Sequence, residues 1–211
     1  MRRDQSSFWD KRAAKYAASP IGDEVAYDHT IARTITYLDP GQRVIEIGCG
    51  TGTTALRLAP HSGTYLGTDI SAEMIYIARA KAAEAGLDAL RFEVGAGAQT
   101  LGQTDGADVV LAFNLLHLVE DLEGLLRAVH ATLPAGGYFI SKTACLADPS
   151  LGVKRFAFAA MIPAMQAIGM APFVRRLSFA GAEAAIAAAG FDIVETGSFP
   201  AMSRFIVARR I

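Results

Sequence analysis

The chain has 211 residues, of which 52% are hydrophobic, which is enough for a single domain with one buried core. Its 20 Lys and Arg residues nearly balance 21 Asp and Glu residues, which excludes a chain-wide basic charge that would bind nucleic acid or anionic lipid. Two cysteines are too few for a disulfide framework, and the first four residues lead into no apolar leader, so we predict a cytoplasmic protein.

Two helical patterns come first in the chain. Residues 8–18 and 26–38 have helical spacing, and the sequence SPIG at 19–22 separates them. Helices in this position could cover the sheet or a ligand site. We therefore predict a helical cap over residues 1–40 of one domain that spans residues 1–211.

From about residue 40 to residue 145, short β-branched runs alternate with glycine turns and helical stretches. Strands are expected at 43–47, 64–68, 90–94, 108–113 and 138–143, and helices at 52–58, 72–85 and 122–132. Most of these strands are apolar on both faces, as in a parallel sheet covered by helices. A helix at 182–189 and strands at 191–196 and 204–208 follow. The pattern predicts an α/β fold with a mostly parallel seven-stranded sheet and an antiparallel C-terminal edge.

A glycine-rich turn follows the first predicted strand. The segment VIEIGCGTG at 44–52 has glycines at three alternate positions and leads into a predicted helix. Glycine permits a tight turn and the close approach of a ligand, with amide N–H groups free to bind it. A tight turn without a ligand is the alternative, but the acid at the end of the next strand, Asp69, favours a ligand site.

The spacing of these glycines argues against a dinucleotide. That fingerprint needs glycine or alanine at position 53, where the chain has Thr53. Glu46, two residues before the first glycine, would repel a pyrophosphate but suits a ligand with an ammonium and a sulfonium. Asp69 is placed to accept hydrogen bonds from both hydroxyls of a ribose. A charge at the N-terminus of the next helix is its alternative role, and the two roles are compatible.

Three segments resemble the class I S-adenosylmethionine-dependent methyltransferases of the small-molecule type. They are VIEIGCGTG at 44–52, DIS at 69–71 with Met74, and LPAGG at 133–137 before a strand. The resemblance covers most of residues 40–145. It implies a Rossmann-like sheet, S-adenosylmethionine as the cofactor and methyl transfer as the activity.

The resemblance implies a cofactor site built from the matching residues. The methionine part of the cofactor would lie against Gly48, Cys49 and Gly50. Glu46 would support its amino group through water, and Tyr16 would reach its carboxylate. In this family the acid after the second strand, Asp69 here, holds the ribose.

Adenine recognition departs from the family pattern. Ile70 and Met74 would flank the base, as the resemblance implies. Members of the family often place an acid after the third strand, but the sequence VGAG at 94–97 has none. Recognition of the adenine amine would then rest on the backbone of Ala96 and Gly97, or on Gln99.

The acceptor side follows the fourth predicted strand, in the sequence AFNLLHL at 112–118. The chain lacks the D/N-P-P-Y/F sequence and the Pro-Cys pair of resembling enzymes that methylate nucleic acid, so we expect no nucleic-acid partner. Asn114, which we assign to the cofactor site, stands where a catechol-type magnesium site would begin with Asp, and no metal is expected. His117 could remove a proton from the acceptor near neutral pH, and packing in a helical turn is its alternative role.

Residues 156–174 carry no charge, but Pro163, Gly169 and Pro172 interrupt them, so we expect no integral membrane segment. We predict that this segment belongs to a lid insertion, 146–180, that closes an apolar face over the acceptor. Core packing, a dimer interface and docking on a membrane surface are the alternatives, so a homodimer stays open.

Three hypotheses for function remain. The first is methyl transfer to a small, largely apolar acceptor, and the second is a non-catalytic protein that binds or senses S-adenosylmethionine. The third is a nicotinamide-dependent oxidoreductase, against which Thr53 and Glu46 both argue.

Overall fold

A seven-stranded sheet forms the centre of the chain, in a computed structural model that describes residues 5–87 and 89–211. The first four residues of the predicted N-terminal cap lie outside the described residues. The strands are β1 (Arg43–Ile47), β2 (Thr64–Asp69), β3 (Leu90–Val94), β4 (Val109–Phe113), β5 (Tyr138–Ala144), β6 (Phe191–Gly197) and β7 (Ser203–Arg210). Their order is β3-β2-β1-β4-β5-β7-β6, and β7 runs antiparallel to both of its neighbours. The predicted sheet with an antiparallel C-terminal edge is therefore confirmed.

Helices surround this sheet. They are α1 (Gln5–Asp10), α2 (Ala13–Ala18), α3 (Glu24–Ile35), α4 (Thr53–Leu58), α5 (Ala72–Ala85), α6 (Gly97–Leu101), α7 (Leu122–Thr132), α8 (Lys154–Ala167) and α9 (Phe179–Ala188). Short 3₁₀ turns lie at Ala59–His61, Leu116–Leu118 and Pro149–Leu151. Because α4 and α5 pack on one face and α7 and α9 on the other, a crevice opens where β1 and β4 are neighbours.

The N-terminal region differs from the prediction of one helix over 8–18. It forms two short helices, α1 and α2, which both contact α5. The carboxylate of Asp10, the last residue of α1, accepts hydrogen bonds from the Ser71 hydroxyl and the Glu73 N–H at the start of α5. Because the helix is interrupted after Asp10, α1 can keep this contact while α2 packs separately against α5.

The segment between β5 and α9 returns the chain across the end of the sheet. Of the residues of α8, only Ile162 is buried, and Phe156 is 62% exposed. Among the described residues, no helix has both the length and the apolar character needed to cross a bilayer.

Candidate active site

A cavity of about 860 Å³, the main cavity, opens at the carboxyl ends of the central parallel strands. Ten of the twelve residues predicted for the site line it: Tyr16, Gly48, Gly50, Asp69, Ile70, Met74, Ala96, Gly97, Asn114 and His117. Cys49 lines a second cavity instead, and Glu46 lies beneath the glycine turn, outside both linings. The strand ends thus bring together residues that are up to about a hundred positions apart.

The glycine turn needs glycine for its backbone and for its surroundings. Gly48, Gly50 and Gly52 have φ angles of 70°, 54° and 75°, which side chains strongly disfavour. A Cβ atom on Gly48 would also lie 2.7 Å from the Cδ1 atom of Leu115, in the loop after β4. Glycine at this position therefore permits the close approach of the two loops that border the crevice.

Asp69 holds this turn in place. Its Oδ2 atom accepts a hydrogen bond from the Gly50 N–H at 3.0 Å, and its Oδ1 atom accepts one from the Ser71 N–H at 2.9 Å. Burial raises the pKa of Asp69, and these backbone hydrogen bonds oppose the rise. Each carboxylate oxygen has capacity for one more hydrogen bond, so the side chain can order the turn and also accept from ligand hydroxyls.

Glu46 lies one layer deeper. It is 2% exposed, and its Oε2 atom accepts a hydrogen bond of 2.9 Å from the Tyr65 hydroxyl, which is also buried. Burial raises the pKa of Glu46 to about 8. The carboxyl group therefore holds a proton at neutral pH unless a cation comes close, because burial outweighs the Tyr65 hydrogen bond and a nearby positive charge would favour the charged form.

Asn114 separates the main cavity from the second cavity and lines both. Its φ angle is 54°, a left-handed conformation that Asn tolerates better than most residues with a side chain. Its N–H donates to the Lys142 carbonyl oxygen at 2.6 Å, which fixes the loop after β4 against β5.

His117 lies in the 3₁₀ turn Leu116–Leu118, where its ring and its backbone are both held. Its Nδ1 atom lies 2.9 Å from the Thr143 hydroxyl, which also accepts the His117 N–H at 3.1 Å. The His117 carbonyl oxygen accepts from the Arg175 N–H at 2.7 Å. Burial lowers the pKa of His117 to about 4, so its imidazole is neutral and weakly basic. This environment favours the packing role over the role of a base.

Two chain segments cover the main cavity. Trp9 of α1 lines it on one side, and Pro172 and Val174, which follow α8, line it on the other. The Arg175 Nη2 atom donates to the Glu120 carbonyl oxygen at 2.6 Å and ties this second segment to the loop before α7. The predicted lid thus reaches the cavity through the residues after α8, whereas Phe156 of α8 faces outward.

Several lining residues carry no signal that the sequence analysis used for the site. Asp121 was not predicted, although an Asp before a helical pattern indicates an N-cap, and its Oδ1 atom does accept from the Gly124 N–H. Leu115, Leu118, Val119 and Leu125 resemble ordinary core residues in sequence, and only the tertiary structure brings them to the cavity.

A family profile described as a methyltransferase domain matches residues 38–167, which include the glycine turn, Asp69 and the loop after β4. The chain belongs to this methyltransferase family. The match and the sheet order confirm the class I S-adenosylmethionine-dependent type that the sequence resembles, with S-adenosylmethionine as its cofactor.

Curated relatives of this methyltransferase domain align with it over only part of their own length. An uncharacterized methyltransferase of Bacillus subtilis, YcgJ, is 31% identical over 98 residues, which cover 46% of this chain and 39% of that protein. A ubiquinone biosynthesis O-methyltransferase of Aeromonas salmonicida is 36% identical over 104 residues, which cover 48% and 43%. This chain therefore spans less than half of the length of these two relatives.

Solved structures share the fold of the methyltransferase domain. The YcgJ structure has a TM-score of 0.68 at 18% identity and covers 87% of this chain and 99% of that one. A magnesium protoporphyrin IX methyltransferase from Synechocystis, with bound S-adenosylhomocysteine, has a TM-score of 0.71 at 19% identity and covers 98% of each chain.

The residues of the methyltransferase domain fit S-adenosylmethionine. Glu46 is a buried carboxyl group close to the turn, and among the described residues it has no ion pair with a basic side chain. A cationic ligand over the turn would supply the missing positive charge. Asp69 has free acceptor capacity toward the cavity for hydroxyl groups.

Proposed function

We propose that this methyltransferase domain transfers a methyl group from S-adenosylmethionine to a small, largely apolar acceptor. The observation that carries the proposal is the main cavity of about 860 Å³, which joins the glycine turn, Asp69 and Asn114 at the crevice between β1 and β4. In open α/β sheets, ligands bind at the point where the strand order reverses.

The chain's own residues would bind and orient the cofactor. S-adenosylmethionine supplies a methyl group on a sulfonium, and its transfer is an in-line displacement that depends on the alignment of the two reactants. Asp69 would accept from the ribose hydroxyls, and Ile70 and Met74 would flank the adenine. Glu46 would ionise beneath the positively charged methionine part. Gly48 and Gly50 allow that part to approach the backbone.

The apolar acceptor is supported by the lining beyond the glycine turn. Leu118, Val119, Pro172 and Val174 contribute apolar surface to the main cavity. Such a lining excludes water from the reacting atoms and strengthens electrostatic interactions there. A displacement of this kind needs alignment more than a strong base, in keeping with a neutral His117.

A non-catalytic protein that binds or senses S-adenosylmethionine is the second candidate. One observation favours it: the chain has no acid at residues 95–98 after β3. Turnover separates this candidate from the first, since both predict the same cofactor.

Calorimetric titration with S-adenosylmethionine, S-adenosylhomocysteine and NADH tests the cofactor, followed by a screen of small acceptors that detects S-adenosylhomocysteine. We expect micromolar binding of the first two ligands and none of NADH, because the glycine spacing and Glu46 disfavour a pyrophosphate. Tighter binding of NADH would overturn the proposal. Cofactor binding without turnover on any acceptor would favour the sensing protein.

A further inference from the structure

The second cavity, of about 610 Å³, adjoins the main cavity on the side of α2 and α3. Tyr16 and Asn114 line both cavities and form the boundary between them. The second cavity therefore lies next to the proposed cofactor site, within reach of a molecule that extends past Asn114. A molecule in the second cavity would lie beside Cys49 of the glycine turn, because Cys49 also lines this cavity.

Lys142 of β5 lines this cavity from its buried side. The residue is 7% exposed, and its Nζ atom donates one hydrogen bond of 3.3 Å to the Thr30 hydroxyl. Among the described residues, no carboxylate forms an ion pair with it. An ammonium group has three N–H donors, so Lys142 keeps capacity for a further partner. A buried charge without a paired charge is costly and marks a site that a ligand could complete.

We infer that the second cavity binds an organic anion, a molecule with a carboxylate and an apolar body, and that the Lys142 ammonium is the partner of that carboxylate. The inference rests on the proposed function, because this anion would be the methyl acceptor and would extend past Asn114 from the second cavity into the main cavity, where the methyl donor binds. It narrows the acceptor class from small apolar molecules to small organic acids.

The arrangement of charges supports this assignment. Asp23 and Glu24 also line the cavity, but both are exposed, whereas Lys142 is buried. The Asp23 Oδ1 atom accepts the Ala26 N–H at the start of α3, which occupies part of that carboxylate. Lys81, also in the lining, donates to the Thr51 and Thr53 hydroxyls. The buried end of the cavity is therefore positive, and its acidic side chains, Asp23 and Glu24, lie at the exposed rim.

The remaining lining suits the apolar body of such a molecule. Tyr27, Ile21, Pro20 and Pro200 contribute aromatic and aliphatic surface. An acid with an apolar body could therefore reach Lys142 with its carboxylate and pack its body against these residues. Apolar burial supplies affinity, and the ammonium selects the charged group.

Calorimetry on the complex with S-adenosylhomocysteine tests this inference, with cinnamate and cinnamyl alcohol as probes that differ in charge. We expect cinnamate to bind at least tenfold more tightly than the alcohol. Lys142→Met, which keeps an unbranched side chain one atom shorter and removes its charge, should bring the two affinities within twofold. Asp23→Asn removes a negative charge from the rim and retains a residue that caps α3, and it should strengthen cinnamate binding severalfold.

Four results would overturn the inference. The first is equal affinity of the two probes for the wild-type complex, and the second is unchanged selectivity in Lys142→Met. The third is a tenfold loss of S-adenosylhomocysteine affinity in Lys142→Met, which would assign the lysine to the cofactor carboxylate. Weak cinnamate binding in both Lys142→Met and Asp23→Asn would also count against it, since the two changes have opposite expected effects. The same titrations measure S-adenosylhomocysteine binding to the wild type, so a failure of the proposed cofactor is seen separately.

Discussion

At the glycine turn, two buried acidic side chains differ in their hydrogen-bond partners. Asp69 accepts two backbone N–H groups, which stabilise its charged form and oppose the effect of burial. Burial raises the pKa of both groups, and it raises the pKa of Glu46, whose partner is the Tyr65 hydroxyl, to about 8. Asp69 is therefore suited to neutral hydroxyl donors, and Glu46 to a cation.

The ribose assignment predicts that Asp69→Ala weakens S-adenosylhomocysteine binding by about 2 to 4 kcal/mol, because two hydrogen bonds to a charged acceptor are lost. Calorimetry measures the change. The variant also removes the acceptor of the Gly50 and Ser71 N–H groups, so Asp69→Asn, which keeps the shape and one acceptor oxygen, is the matched control. We expect an intermediate loss for the control. Unchanged affinity in a folded Asp69→Ala protein would refute the assignment.

The raised pKa of Glu46 predicts that the stability of the ligand-free protein depends on pH. Its pKa is about 8 in the folded state, above the ordinary value of 4.5. The folded protein keeps a proton that the unfolded chain releases, so this group's stabilising contribution is complete below pH 4.5 and is lost as the pH rises through 8.

Chemical denaturation of the wild type and of Glu46→Gln at about pH 5 and about pH 8 measures this effect. The glutamine cannot ionise but can still accept from Tyr65, so the free energy of unfolding should fall less with rising pH in the variant. Equal falls in the two proteins would mean that Glu46 titrates normally.

At the scale of elements, the segment after β5 has two parts with different attachments. Helix α8 buries only Ile162, whereas the residues after it line the main cavity and are tied to the loop before α7 by Arg175. Local opening costs least where few apolar contacts are buried. We propose that α8 moves freely and that the residues after it form the closing edge of the lid.

Arg175→Ala should therefore speed amide exchange in residues 169–177 of the empty protein and weaken acceptor use more than cofactor binding. Arg176→Ala is the matched control, because Arg176 is its exposed neighbour and carries the same charge. Hydrogen exchange followed by mass spectrometry compares the two variants. Similar exchange in both variants would show that the Arg175 hydrogen bonds do not hold the segment.

At the scale of the whole molecule, the parallel sheet is the rigid platform for the site. Its strand β4 is buried along its full length, and its carboxyl end leads into Asn114 and His117. The glycine turn, Asp69 and the loop after β4 all leave the same edge of the sheet. A ligand that bridges them should therefore stabilise the entire domain.

Thermal unfolding tests this coupling. S-adenosylhomocysteine at about one hundred times its Kd should add about 2.7 kcal/mol to the free energy of unfolding. For a chain of this size, that corresponds to a rise in Tm of roughly 5 to 10 °C. NADH at the same concentration is the control and should leave Tm unchanged. A matching rise with NADH would point to a site that is not selective for the methyl donor.

The sequence by itself determined the strands, most of the helices and the position of the glycine turn. Strand alternation, a capping Ser71 and glycines with positive φ are properties of a few neighbouring residues, so they can be predicted locally. The antiparallel edge could also be predicted, because its two strands follow each other in the chain. The break between α1 and α2 could not, since it depends on a contact between Asp10 and α5.

Only the tertiary structure decided the chemical state of the candidate site. His117 takes its hydrogen-bond partner from Thr143, 26 residues away, and Glu46 takes its own from Tyr65, 19 residues away. Lys142 stands in an ordinary strand sequence, and the role that we propose for it is inferred from its burial beside a cavity. Burial and long-range partners set a pKa and the direction a side chain faces, and neither is encoded in the spacing of nearby residues.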